Sequence, residues 1–173
     1  MNIFFLHRDP EQAAKEYAQL LSTAHRMLDG IEYQDLSKNG RKIKRYRLQN
    51  PNHEKIIYKA CHFNHPSAVW VRENKLHYQW LYRLFKKLGH EYTHRYGKVH
   101  STNVLLNQLL ERVPNNIPVI DWKDPPPAMK HYPQCIVPGD SLQSYKNYYI
   151  EAKAYFAKWT KRETPQWFAE GVA

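Results

Sequence analysis

The sequence predicts a mainly α domain, an α+β chain with one small antiparallel β-hairpin or sheet. Three observations lead there. Three long segments carry apolar residues at helical spacing, over 10–28, 66–96 and 141–159. One Asn-Gly pair, Asn39-Gly40, sits between two short alternating runs. The length of 173 residues suits one domain, with 42% hydrophobic residues to fill its core. We therefore expect one globular domain over 1–160 and a loosely held tail over 161–173, with Trp167 and Phe168 as its only anchors.

Residues 2–6 read as a short buried strand. Asp9 then has the character of an N-cap, Pro10 suits the first helical position, and Gln12 completes a capping box. Ala13, Ala14, Tyr17, Leu20, Leu21, Ala24, Met27 and Leu28 form one stripe, and Gly30 ends the helix. Both central positions of an Asn39-Gly40 turn favour positive φ, so Ile31–Ser37 and Arg41–Leu48 are the hairpin strands, with Lys55–Ala60 as a possible third. Pro66 opens the longest helix, with a break near Asn74. Leu76, Trp80, Leu81, Leu84, Phe85, Leu88 and Tyr92 line one face, Arg83, Lys86, Lys87 and His90 much of the rest, and Gly97 is the C-cap. Ser101 caps a helix to Arg112 bearing Val104, Leu105, Leu109 and Leu110. Seven of the eleven prolines fall within 114–139, a loop with Trp122 and Tyr132 as anchors. Asp140 or Ser141 caps the last helix, whose face is Tyr145, Tyr148, Tyr149, Ala152, Tyr155, Phe156 and Trp159.

Lysines and arginines number 26 against 16 acidic residues, a formal charge of +10. A polyanion repays clustered cations through counterion release, so DNA is the expected partner. The strand over 41–47 carries Arg41, Lys42, Lys44, Arg45 and Arg47. Alternation puts Arg41, Arg45 and Arg47 on one face, around Ile43, as a phosphate-contacting ribbon. No apolar run reaches the ~20 residues that span a bilayer, and the opening Met-Asn-Ile-Phe-Phe-Leu is too short for a signal-peptide core. We expect a cytoplasmic protein with no membrane partner, and Cys61 and Cys135 as free thiols.

Three constellations could carry chemistry. His90-Glu91-Tyr92-Thr93-His94-Arg95-Tyr96-Gly97-Lys98-Val99-His100 fits H-E-x-x-H-x-x-G-x-x-H. In that template two histidines one turn apart and a third beyond the glycine hold zinc, and the glutamate is the base. Met129 lies downstream, where a Met-turn would fall. Leu84, Leu88 and Tyr92 claim the core face of the same helix, so no cofactor is expected; zinc on His90, His94 and His100, in a hydrolase or peptidase, is the alternative. Cys61-His62-Phe63-Asn64-His65 matches no standard ligand spacing. His65, Arg72, Glu73, Asn74 and Tyr78, interleaved with Trp70 and Trp80, make a polar and aromatic surface suited to stacking on a displaced base and bonding its edge. Glu73, Glu91 and His65 are the candidate catalytic groups, and Arg72, Asn74 and Tyr78 the candidate substrate contacts. No phosphate-loop, dinucleotide or nucleophile-elbow glycine motif is present.

The opening Met1–Leu6 with Asp9-Pro10, Ala18–Ala24, His65–Trp70, Tyr78–Leu81 and Glu91–Lys98 together resemble a family of small phage-encoded proteins, often labelled pyrimidine-dimer DNA glycosylase-like. The likeness touches most of residues 1–160 in patches. It implies DNA as substrate, N-glycosidic chemistry on a pyrimidine, and the cytoplasm of an infected bacterial host as location. It also implies an α-amino nucleophile at the mature N-terminus, assisted by a glutamate of the first helix. This chain departs from that pattern: Asn2 is too large for ready removal of Met1, and Glu11 and Glu16 are the only acidic residues on the first helix. A base-modifying enzyme and a non-catalytic DNA-binding or host-takeover protein are the readings left beside a glycosylase.

Overall fold

Alanine at positions 13, 14, 18 and 24 gives the first helix a face that other helices can approach closely, and that face is the centre of the core. The computed structural model describes residues 10–159 and 161–173, with the first helix's side chains from Ala13 onward. The strand expected over 2–6, the Asp9 cap and the Gln12 side chain lie outside the described residues. Helix α1 (Pro10–Asp29) is followed by β1 (Ile31–Leu36), β2 (Lys42–Arg47), α2 (Pro51–Ile56), α3 (Pro66–Glu73), α4 (Lys75–Tyr96), α5 (Ser101–Glu111), α6 (Ser141–Tyr148) and α7 (Gln166–Gly171). The mainly α, α+β class is as expected. Helix α1 packs on α3, α4 and α5, and Leu21 of α1 meets Trp70 and Val71 of α3, Leu81, Phe85 and Leu88 of α4, and Leu106 and Leu110 of α5 in one buried cluster. None of the described helices is long and apolar enough to cross a membrane.

The hairpin forms, but not around a two-residue turn. The register runs from Ile31↔Arg47 to Leu36↔Lys42, leaving Ser37–Arg41 as a five-residue loop. Only Gly40 there has positive φ, +72°; Asn39 does not, because the Ser37 hydroxyl and carbonyl tie the loop through Arg41 N and Gly40 N. The third strand expected over 55–60 is absent: 51–56 is helical. Asn50 Oδ1 accepts from the backbone N–H of Asn52 and His53, and Pro51 opens α2, so a cap and a proline override the β-branched look of Ile56-Ile57. The long helix over 66–96 is two helices. Asn74 is extended (φ −153°, ψ 136°), caps α4 through Leu76 N, and donates to the carbonyls of Ile120 and Asp121.

Two side-chain faces differ from expectation. Leu76 is 46% exposed, while Val104 and Leu105 of α5 point outward, at 73% and 50%. Helix α5 instead buries Thr102, Asn103, Leu106 and Leu110, because Asn103 fits against Gly89, where a Cβ would come within 2.4 Å of its amide. The α5 cap is His100, whose Nδ1 accepts from Thr102 N, and not Ser101. The last helix ends early: α6 passes into a π turn at Tyr149–Lys153 and a 3-10 turn at Ala154–Phe156, so the expected 141–159 helix is not continuous. In the tail, α7 buries Phe168 against Trp159 and Trp167.

The 114–139 loop is held by the core it crosses. Trp70 Nε1 donates to Lys123 O, and His77 Nε2 accepts from Lys123 N while its Nδ1 donates to Trp70 O. These bonds fix His77 as the neutral Nδ1–H tautomer, stacked on Trp70 at 4.3 Å. Trp122 meets both rings edge-on, and Tyr132 packs on Tyr148.

Arg26 is a charge buried in the core. Its guanidinium, 2% exposed, donates to Glu54 Oε2 at 2.6 Å and to the carbonyls of Tyr46, Glu54, Ile57 and Tyr58. One side chain of α1 thereby fixes β2, α2 and the strand-like connection after it. Replacing Arg26 by Met should lower stability by about 3–5 kcal/mol, because Glu54 and four carbonyls lose a buried donor. Thermal melting should fall by roughly 10 °C. A variant that melts within a degree or two of the parent would show that these five bonds are not structural.

Candidate nucleic-acid interface

The basic strand is presented on a thin, two-sided ribbon. Ile43, Arg45 and Arg47 share a face with Ile31, Tyr33 and Asp35, whereas Lys42 and Lys44 share the other with Glu32, Gln34 and Leu36. Arg41 stands one position before the strand, its carbonyl accepting from Ser37 N. Much of the expected phosphate-contacting face is engaged within the hairpin. Arg45 Nε lies 3.5 Å from Asp35 Oδ2, an ion pair without hydrogen-bond geometry, and Arg47 rests over the Tyr33 ring at 4.8 Å. On the outer face Lys44 Nζ pairs with Glu32 Oε1 at 2.9 Å, and Tyr46 donates to Glu32 Oε2. That contact lowers the Glu32 pKa and raises that of Lys44, but the pair is fully exposed and screened by solvent. Lys38, Arg41 and Lys42, all exposed at or beside the turn, make no ion pair among the described residues. They are the ribbon's available cations.

The groups expected to form one pocket over 65–78 are not brought together. His65 is exposed and caps α3, its Nδ1 accepting from Ser67 N. Glu73 ends the same helix, so the two lie about 12 Å apart along it. Asn74 is fully buried as the cap and tether described above. Tyr78 is fully buried too: its hydroxyl donates to Leu110 O at 2.9 Å and accepts from His25 Nε2 at 2.8 Å. Burial pushes the Tyr78 phenol well above its usual range and lowers His25 to about 4, so both stay neutral near pH 7. They are core groups, out of reach of a base. Arg72 and Glu73 remain half-buried at the surface. Arg72 donates to Phe63 O at 2.6 Å, and Phe63 meets Tyr46 of β2 edge-on, so this end of α3 adjoins the hairpin.

Glu91 is also spent structurally. It is 2% exposed, with Oε1 accepting from Arg95 Nε at 2.7 Å and Oε2 from Arg162 at 2.8 Å. Burial alone would raise its pKa, but the hydrogen bonds from Arg162 and Arg95 outweigh that and hold the carboxyl below its usual value. A general acid needs the opposite shift. The zinc template fails on geometry as well. Glu91 faces the core between guanidiniums, and His90 and His94 face outward. His94 Nε2 donates to Lys161 O, and His100 is buried against Tyr92 as the α5 cap. Among the described residues no three His, Cys, Asp or Glu side chains stand where they could share a metal ion. The Glu11 side chain lies outside the described residues, and Glu16 is on the exposed side of α1.

Sequence reasoning passed over a second basic surface. Arg83, Lys86, Lys87, His90 and His94 recur at three- and four-residue steps on the outer side of α4, a stripe about 16 Å long. The helical spacing of these cations is visible in the sequence, but the neighbours that border them, α5 and residues 161–162, come later in the chain. Comparison with protein-family models, with curated proteins and with solved structures returns no match.

Glu91 yields a pH prediction whose sign follows from its lowered pKa. The ion pairs contribute fully above the ordinary carboxyl range near 4.3, and that contribution fades as pH falls through the folded-state value. Glu91→Gln should therefore cost about 2–3 kcal/mol at neutral pH and make the acid limb of the stability curve shallower. Equal melting temperatures for both proteins at pH 7 would contradict the structural assignment.

Proposed function

We propose that the protein is a DNA-processing enzyme, glycosylase-like or base-modifying, that acts on a pyrimidine in the cytoplasm of an infected bacterial host. The observation that carries the DNA part is that nine of the 26 lysines and arginines gather on two surfaces, the hairpin, where Lys38, Arg41 and Lys42 make no ion pair among the described residues, and one face of α4. A protein that merely needed solubility would gain nothing from such concentration, whereas a polyanion releases counterions from each contact. Phosphate contacts come from Arg41 and Lys42 first, with Lys44, Arg45 and Arg47 recruited by exchanging Glu32, Asp35 and Tyr33 for DNA. The exposed pairs they give up are screened by solvent and weak.

The pyrimidine chemistry rests on the family resemblance, and Glu73 is the carboxylate best placed for it. It is half-buried, lies beside Arg72, and forms no ion pair among the described residues, in contrast to Glu91. One observation favours a second reading, a non-catalytic DNA-binding protein: His65, Glu73 and Glu91 share no cleft.

Reversing Lys38, Arg41 and Lys42 to Glu should weaken duplex binding at least tenfold, alike for unrelated sequences, as measured by fluorescence anisotropy. Unchanged affinity at low salt would remove the hairpin from the interface. Glu73→Gln should abolish turnover of duplexes carrying modified pyrimidines while leaving affinity within twofold. Tight binding with no turnover by the parent protein itself would establish the non-catalytic reading.

A further inference from the structure

The H-x-x-x-H pair left over from the zinc template lines a groove between α4 and α5. Lys86, His90, Thr93 and His94 of α4 form one wall, Asn103 and Asn107 of α5 the other, and the groove encloses about 560 Å³. Its floor is set where Gly89 lets Asn103 approach, so both walls belong to the rigid helix pair.

We propose that this groove binds the phosphate group of a nucleotide or of a nucleic-acid strand. The donors available in it decide between an anion and a cation. Lys86 brings an ammonium, held 5.8 Å above the Tyr82 ring at the rim. The His90 ring is exposed and makes no hydrogen bond to the described residues. Asn107 Oδ1 accepts from Tyr82 OH at 3.0 Å, which turns its amide N–H groups away from that contact as donors. Thr93 Oγ1 spends its hydrogen on Gly89 O. His94 donates Nε2 to Lys161 O, which fixes the ring at the groove's end.

No carboxylate lines the groove: Glu91 of α4 faces the core, and Glu111 of α5 lies one turn beyond Asn107. Arg83, Lys87, Lys98 and Lys161 add positive charge around it. The first turn of α5 and the last turns of α4 contribute helix-end charges of opposite sign, so side-chain charge determines what the groove attracts. A divalent cation would enter a field of like charge with at most two imidazoles to hold it. A phosphate would find an ammonium, an imidazole and an amide as donors.

The inference deepens the DNA reading and rests on it for the source of the phosphate, but not for the site itself. The test is a ¹H–¹⁵N NMR titration of the full chain with three probes, each against sodium chloride at matched ionic strength. The probes are inorganic phosphate, thymidine 5′-monophosphate, and a blunt duplex without terminal phosphates. Inorganic phosphate should give saturable shifts at Lys86, His90, His94 and the Asn107 side-chain amide. Lys86→Ala/His90→Ala should weaken that binding at least tenfold without changing the melting temperature, since neither side chain is buried. Shifts on the monophosphate with none on the duplex assign the groove to a free nucleotide, and the reverse assigns it to the strand backbone. Shifts no larger than those from chloride, or shifts undiminished in the double variant, overturn the proposal. A duplex that perturbs the hairpin, with neither inorganic phosphate nor the monophosphate moving the groove, overturns it while sparing the DNA reading. Phosphate binding without any duplex binding removes the DNA reading and keeps the groove.

Discussion

Arg26 is the constraint on which the seating of the basic hairpin depends. A guanidinium withdrawn from water is costly unless its donors are used, and this one uses them on five acceptors from three consecutive parts of the chain. The two-stranded hairpin would be marginal alone. Its inner end is held by the bond from Arg26 to Tyr46 O, and Glu54 both pairs with Arg26 and accepts from Leu48 N. The Glu54 carboxyl is held below its usual value by these contacts, although burial alone would raise it. At the far end Lys38, Arg41 and Lys42 are exposed.

The C-terminal end of α4 follows the same logic with the charges exchanged. There a buried carboxylate, Glu91, gathers two guanidiniums, and one of them belongs to a segment the sequence presents as a tail. His94 binds the neighbouring carbonyl of Lys161, which sits at φ +56°. Residues that fit a catalytic zinc motif in the sequence are thus divided in the structure. Glu91 and His100 serve the core, and His90 and His94 serve the surface.

Helix periodicity made α1 and α4 legible, because each buries an apolar stripe, and made the extent of α5 legible but not its face; the hairpin was legible from Asn39-Gly40. What was not legible depends on contacts remote in sequence. Tyr78 and Asn74 are polar and aromatic in the manner of pocket residues, yet their partners, His25, Leu110, Ile120 and Asp121, are 32 to 53 positions away. Glu91 looked like a base because Arg162 lies 71 positions on. The α5 face was misread because a glycine on another helix, Gly89, chose Asn103 as the contact. Of the candidate site, the basic strand and Glu73 survive as surface groups, while the pocket expected around Asn74 and Tyr78 dissolves into the core.

The central claim is that the concentrated positive charge is an interface for nucleic acid. The most direct measurement is the affinity of the unmodified protein for a duplex oligonucleotide across a series of salt concentrations. The account predicts a linear fall of log K against log salt with a slope steeper than about −3, since each phosphate contact contributes roughly −0.9. A slope near zero, or no binding at 50 mM salt, would contradict it.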